Sequence, residues 1–210
     1  MLECIDLECI RGDRVLFTGL NFTVQSGELI HVKGVNGSGK TSLLRILCGL
    51  MLQAEGEVHW NGGNIRKLKE EYQRELLYLG HLPGIKADLT ALENLRVNNA
   101  LSGNPISEED AWKALGKIGL KGREDLPARV LSQGQQRRVA LARLLVSKAK
   151  VWILDEPFTA LDIKAVAALQ DVLSNHVTNN GMVILTTHQE FSISNKKVNT
   201  LHLGNEEVAV

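Results

Sequence analysis

Gly34-Val35-Asn36-Gly37-Ser38-Gly39-Lys40-Thr41 decides the fold. Glycines at 34, 37 and 39 let the backbone curl so that its N–H groups converge on an anion. An apolar strand over residues 28–33 delivers the chain to this loop. A helix over about residues 40–50, with Leu43, Leu44, Leu47 and Leu50 at helical spacing, leaves it. In that context the helix start adds its dipole to the anion site. Lys40 is placed to reach the β- and γ-phosphates of a nucleotide, and Thr41 to offer its hydroxyl to Mg²⁺. Gly34 to Thr41, followed by Ser42, are the expected nucleotide-binding residues.

Two later strand ends point to the same site. Val151-Trp152-Ile153-Leu154 reads as a strand buried on both faces, and Asp155 stands at its carboxyl end. Open α/β sheets bind ligands in that crevice, where a carboxylate can hold the hydration shell of Mg²⁺. Glu156 follows directly and is the acid positioned to take a proton from an attacking water. A second apolar strand over residues 182–186 ends at Thr187-His188. His188 is expected to contact the γ-phosphate and orient Glu156. Glu156 and His188 are the expected catalytic pair.

Leu131-Ser132-Gln133-Gly134-Gln135-Gln136 supplies another phosphate-type helix start. Ser132 is a good N-cap and Gln135, three residues on, closes a capping box. Gly134 in the first turn lets a phosphate approach the backbone. The chain has a single phosphate loop but two anion-reading helix starts, so the two need not serve the same nucleotide. Arg137, Arg138 and Arg143 load the following helix with positive charge.

Around these stations the chain alternates. Strands are expected over residues 2–10, 14–17 and 21–25, and a short one over 57–60. Residues 76–79 read as a further apolar strand. From about 90 to 146 the pattern turns helical, with starts at Thr90, Ser107 and Ser132. Strand and helix then alternate, with a helix from 162 to about 177 and a last strand over 198–203, which implies a parallel sheet. The 210 residues fit one α/β domain, with a core and β arm at about 1–82 and 147–210 and a helical subdomain at about 83–146.

Lys+Arg and Asp+Glu both number 24, so no net charge steers the chain to nucleic acid, and no nucleic-acid partner is expected. No run of 18 apolar residues suggests a membrane span. The acids in Met1-Leu2-Glu3-Cys4-Ile5-Asp6 stand where a signal peptide carries bases, so a cytoplasmic chain is expected. Cys4, Cys9 and Cys48 lack metal spacing and read as reduced core thiols.

The four stations, in this order, resemble the ABC (ATP-binding cassette) ATPases over nearly the whole chain. The resemblance implies a P-loop NTPase with a RecA-like core, an antiparallel β arm and an inserted helical subdomain. It implies ATP and Mg²⁺ as cofactors and a head-to-tail dimer of two copies. In that dimer each ATP lies between one phosphate loop and the partner's signature residues, here Ser132, Gln133, Gly134 and Gln135. Leu161 and Asp162, in Thr159-Ala160-Leu161-Asp162, look like the D-loop.

Three positions depart from that pattern. Arg11 stands where an aromatic ring stacks on adenine, and a guanidinium can stack on a base. His81 stands where a Gln links Mg²⁺ to the transport partner, and is grouped with Thr41 and Asp155 at the metal. Gln133 stands where Gly is usual.

The stretch Tyr78-Leu79-Gly80-His81-Leu82-Pro83-Gly84-Ile85-Lys86, followed by Leu89 to Leu95, is similar to the ATP-binding subunits of bacterial cytochrome c maturation (haem exporter) complexes. That similarity implies integral membrane subunits as partners and a peripheral place on the cytoplasmic face of the inner membrane. ATP hydrolysis would drive haem export or release of a haem-loaded chaperone. The alternatives are the ATPase of another small-substrate transporter, or a soluble ABC switch. The exposed apolar loop from His81 to Asp88 is the expected docking segment.

Overall fold

The computed structural model describes residues 1–193 and 198–204; the last six residues of the expected domain lie outside the described residues. The chain opens with a long hairpin, β1 (Leu2–Arg11) and β2 (Arg14–Val24), turning at Gly12-Asp13. The sequence suggests two separate strands where β2 is one. The difference is made by bulges, which shift the register between Cys4/Leu7 and Leu7/Cys9. Asp6 (φ 46°) and Gly19 (φ 59°) absorb the bend. Asn21 pins it, donating from Nδ2 to Asp6 Oδ1 at 2.6 Å while its Oδ1 accepts the Asp6 N–H at 2.9 Å.

β3 (Leu29–Lys33) leads through the glycine loop into α1 (Lys40–Leu47). The helix stops three residues short of its expected end. Cys48 caps it and Gly49, at φ 69°, takes the left-handed position that closes a helix. Then come β4 (Glu55–Trp60), β5 (Gly63–Asn64), the short helices α2 (Ile65–Leu68) and α3 (Glu70–Arg74), and β6 (Leu76–Leu79). The helical block is α4 (Ala91–Leu101), α5 (Glu108–Lys117), a 3-10 turn at Ala128–Val130 and α6 (Gln133–Val146). It is followed by β7 (Val151–Asp155), α7 (Ile163–Thr178), β8 (Met182–Thr186) and β9 (Val198–His202). Thr90 and Ser132 form full capping boxes, and Ser107 accepts the Asp110 N–H, so all three expected helix starts stand.

Two sheets organise these elements. One is antiparallel in the order β2-β1-β4-β5, and the other is parallel in the order β6-β7-β8-β3-β9. The period-2 alternation of the parallel strands divides the core. Val151, Ile153, Ile30, Val32 and Ile184 face a cluster with α1 and the antiparallel sheet. Trp152, Leu154, Leu77, Leu79 and Leu185 face a cluster shared by α4, α5, α6 and α7. The helical block thus shares its apolar cluster with one face of the parallel sheet. In register, Asp155 lies beside Thr186, which lies beside Val32. The carboxyl ends of β7, β8 and β3 therefore open on one edge.

Candidate nucleotide site

The glycine loop is built for close approach. A Cβ on Gly34 would sit 2.5 Å from Ser38 Oγ and 2.7 Å from the Leu203 carbonyl, so no larger residue fits. Gly37 (φ 82°) and Gly39 (φ 99°) hold left-handed backbone that L side chains avoid. Ser38 Oγ is buried inside the loop without a hydrogen-bond partner among the described residues. Lys40 Nζ donates to the Gly34 carbonyl at 2.7 Å and the Val35 carbonyl at 3.2 Å. An ammonium has three N–H donors, and these two carbonyls take two of them.

Behind the loop, Asp155 is gripped by two hydroxyls. Thr41 Oγ1 donates to Oδ2 at 2.9 Å and Thr186 Oγ1 donates to Oδ1 at 2.7 Å. Glu156 adopts φ 51°, a left-handed conformation that is strained for a side chain of its size. Its N–H donates to Thr186 Oγ1 at 3.0 Å. Its Oε2 accepts the His188 N–H at 3.3 Å, and its Oε1 lies 3.6 Å from His188 Nε2. The Glu156 side chain is 17% exposed and that of His188 62%, so the acid is sheltered and the imidazole faces outward.

These groups line one cleft of about 730 Å³. The cleft gathers Asn36, Gly37, Gly39, Lys40, Thr41 and Ser42 from the loop and first turn. It also gathers Asp155, Glu156 and His188 from the strand ends, with His81 and Arg11 at its sides. Gly34, Val35 and Ser38 belong to the loop but do not line this cleft. Gly34, with Lys40 and His188, lines an adjoining cavity. Ser132, Gln133, Gly134, Gln135, Leu161 and Asp162 also lie off it.

Ser132 Oγ accepts the Gln135 N–H and Gln135 Oε1 accepts the Ser132 N–H, leaving Ser132 and Gln133 exposed at the helix start. Gly134 packs on the segment over residues 159–162, where an added Cβ would sit 2.8 Å from the Ala160 carbonyl. Asp162 caps α7 by accepting the Ala165 N–H at 2.8 Å and pairs with Arg138 of α6. The Ala165 N–H, then Arg138, hold its carboxyl below the usual carboxylate range.

Sequence reasoning missed four groups. Arg14 lines the cleft and would lie 3.7 Å from a Cβ on Gly37, and no motif marks it. Thr186 grips Asp155 from the neighbouring strand, visible only once β7 and β8 are paired. His31 of β3 donates from Nε2 to the Thr187 carbonyl at 3.0 Å, one residue before His188. Burial pushes the His31 pKa down. Arg137 reaches from α6 to the carbonyls at the ends of β6 and β7.

The oxygen pair of Thr41 and Asp155 is a hard donor set of the kind Mg²⁺ takes. No group of three or more His, Cys, Asp or Glu side chains clusters as a metal site among the described residues. The glycine cradle and the orphaned Ser38 hydroxyl fit a bound phosphate chain.

Residues 17–159 match the family described as ABC transporter. The chain is 60% identical over 204 residues to a cytochrome c biogenesis ATP-binding export protein of Nitrosomonas europaea, covering 97% of this chain and 96% of that protein. Among solved structures, an ABC transporter ATP-binding protein of Pyrococcus furiosus superposes with a TM-score of 0.80 at 26% identity, over 96% of each chain. A dimeric ATP-binding cassette, solved in a post-hydrolysis state with ADP and Pi, has the same fold. Its TM-score is 0.80 at 24% identity, over 90% of this chain and 88% of that one.

Proposed function

This chain belongs to the ABC transporter family of ATP-binding proteins, on its cytochrome c biogenesis branch, and we propose that it is the ATP-hydrolysing subunit of a bacterial inner-membrane complex that drives haem export or the release of a haem-loaded chaperone. The observation that carries the ATPase reading is the cleft in which phosphate loop, Asp155, Glu156 and His188 meet.

Each group has a task there. The loop N–H groups and Lys40 hold the β- and γ-phosphates. Thr41 and Asp155 would hold Mg²⁺, with His81 at the side of the cleft leading to the docking loop. When bound, the ion neutralises charge on the phosphate oxygens. Glu156 takes the proton of the attacking water. The His188 N–H on Oε2 fixes that carboxylate, while the exposed imidazole is free to reach the γ-phosphate. Arg11, with Arg14 beside it, offers a guanidinium plane to the base.

Ser132 to Gln135, off the cleft of their own chain, are assigned to the ATP of a second copy, with Leu161 and Asp162 at the dimer contact. We assign residues 83–146 as a helical subdomain between core segments 1–82 and 147–210. No helix among the described residues is long and apolar enough to cross a membrane. Attachment to the cytoplasmic face of the inner membrane is therefore assigned to integral membrane partners.

The test is complementation. Cells lacking this subunit should regain haem-stained c-type cytochromes with the wild-type chain and not with Lys40→Ala. Restoration by Lys40→Ala, or no loss of c-type cytochromes without the subunit, would remove the reading.

A further inference from the structure

Arg137 sits on α6 five residues beyond the Ser132 cap, and it is 5% exposed. A buried guanidinium ordinarily finds a carboxylate. Arg137 makes no ion pair with a carboxylate among the described residues; its four hydrogen bonds all go to backbone carbonyls. Nη1 donates to Gly80 at 3.0 Å and His81 at 3.4 Å. Nη2 donates to Asp155 at 3.0 Å and Glu156 at 2.8 Å. Leu79 and Leu154 are in register, so these carbonyls are the paired carboxyl ends of β6 and β7. Nε has no partner among the described residues, so the side chain bonds through its two terminal nitrogens.

That fork spans the two segments on which the site depends. One carries His81 and opens the docking loop. The other carries Asp155 and Glu156. The Glu156 peptide needs such support, because its residue is held at φ 51°. A donor on the Glu156 carbonyl and a donor from its own N–H to Thr186 fix both sides of that residue. The fork also belongs to the helix whose first turn carries Ser132 and Gln133. Movement of α6 therefore acts on the Glu156 backbone through a rigid planar group rather than through a flexible chain.

We propose that Arg137 is a positioning residue: it clamps the β6 and β7 ends to α6, sets the Glu156 carboxylate on the attacking water, and ties that acid to the helix that reads the partner's nucleotide. The proposal rests on Glu156 being the base.

The experiment measures steady-state ATP hydrolysis and ATP affinity for purified full-length Arg137→Met, Arg137→Lys and Glu156→Gln chains. Displacement of a reacting group by about 1 Å costs on the order of 10²-fold, so Arg137→Met should lose at least about 10-fold in kcat while KM for ATP stays within about 2-fold. Arg137→Lys keeps a charge but cannot bridge both strand ends, and should recover part of the kcat. If Arg137→Met does not fold, the lysine variant decides, with a kcat loss at unchanged KM expected. A kcat within about 2-fold of wild type in the folded variant, or a parallel loss of kcat and ATP affinity, overturns the proposal. Turnover retained by Glu156→Gln would instead remove the base assignment, whatever Arg137 does.

Discussion

The Thr186 hydroxyl donates to Asp155 Oδ1 at 2.7 Å and accepts the Glu156 N–H at 3.0 Å. One hydroxyl thus orients the proposed metal-binding carboxylate and the backbone of the proposed base. The Thr41 hydroxyl holds the other Asp155 oxygen across 114 residues of chain. Asp155 is therefore fixed in rotation before any ion arrives.

Thr186→Val keeps the shape and deletes both bonds. Leaving a buried polar partner unsatisfied costs about 1–3 kcal/mol. Thermal unfolding should register that loss. The Mg²⁺ concentration for half-maximal hydrolysis should rise and kcat should fall. A variant with unchanged Mg²⁺ dependence would show that Thr186 serves packing alone.

A shared site predicts rescue between two defective chains. Gly134→Asp is a poor probe, because any Cβ there presses on the Ala160 carbonyl within the same chain. Gln133 is exposed and its side chain makes none of the capping bonds. Gln133→Asp therefore places a negative charge at the helix start without disturbing its own fold. Lys40→Ala and Gln133→Asp should each be nearly inactive. In a mixed dimer, the intact loop of one chain meets the intact signature of the other. With random pairing, about a quarter of wild-type turnover should return. Full activity of Gln133→Asp alone would remove the signature from the site.

The proposed docking loop, residues 81–88, divides into two parts. Ile85 packs against the helical block's core, and Asn94 fixes the loop by accepting the Lys86 N–H and donating to the Lys86 carbonyl. Leu82 is 79% exposed. Leu82→Asp should leave ATP hydrolysis of the isolated chain intact and reduce its recovery with membranes. Ile85→Asp should destabilise the chain by roughly 1–3 kcal/mol. Normal membrane recovery of Leu82→Asp would take the loop out of the interface.

His176 gives the fold a pH dependence. It stacks on Trp152 with ring centroids 3.6 Å apart and planes 3° from parallel. Burial lowers its pKa from 6.5 to about 4. Between those values the unfolded chain binds more protons than the folded one. The stability contributed by the neutral ring is complete above pH 6.5 and is lost as pH falls toward about 4. Urea unfolding at several pH values in that window should show a falling free energy. His176→Asn should flatten the slope, and an unchanged slope would contradict the assignment.

The phosphate loop, Asp155 and Glu156 are legible in the sequence because each is a local run whose neighbours fix its conformation. The capping boxes at Thr90 and Ser132 are legible for the same reason. Arg137, Thr186 and Arg14 are not, since each reaches the site through packing between elements distant in sequence. Arg137 looks like one of several surface cations until α6 is laid against the ends of β6 and β7. The continuous β2 also escapes pattern reading, because bulges at Leu7 and Gly19 break the alternation without ending the strand. The helices α2 and α3 are shorter than the window in which helical period can be seen.

Hydrolysis by Glu156→Gln tests the central claim most directly. The substitution keeps the shape and removes the proposed proton acceptor. The account predicts that ATP still binds with near wild-type affinity while kcat falls by about 10²–10⁴-fold. A Glu156→Gln chain that retains most of its Mg²⁺-dependent turnover would contradict it.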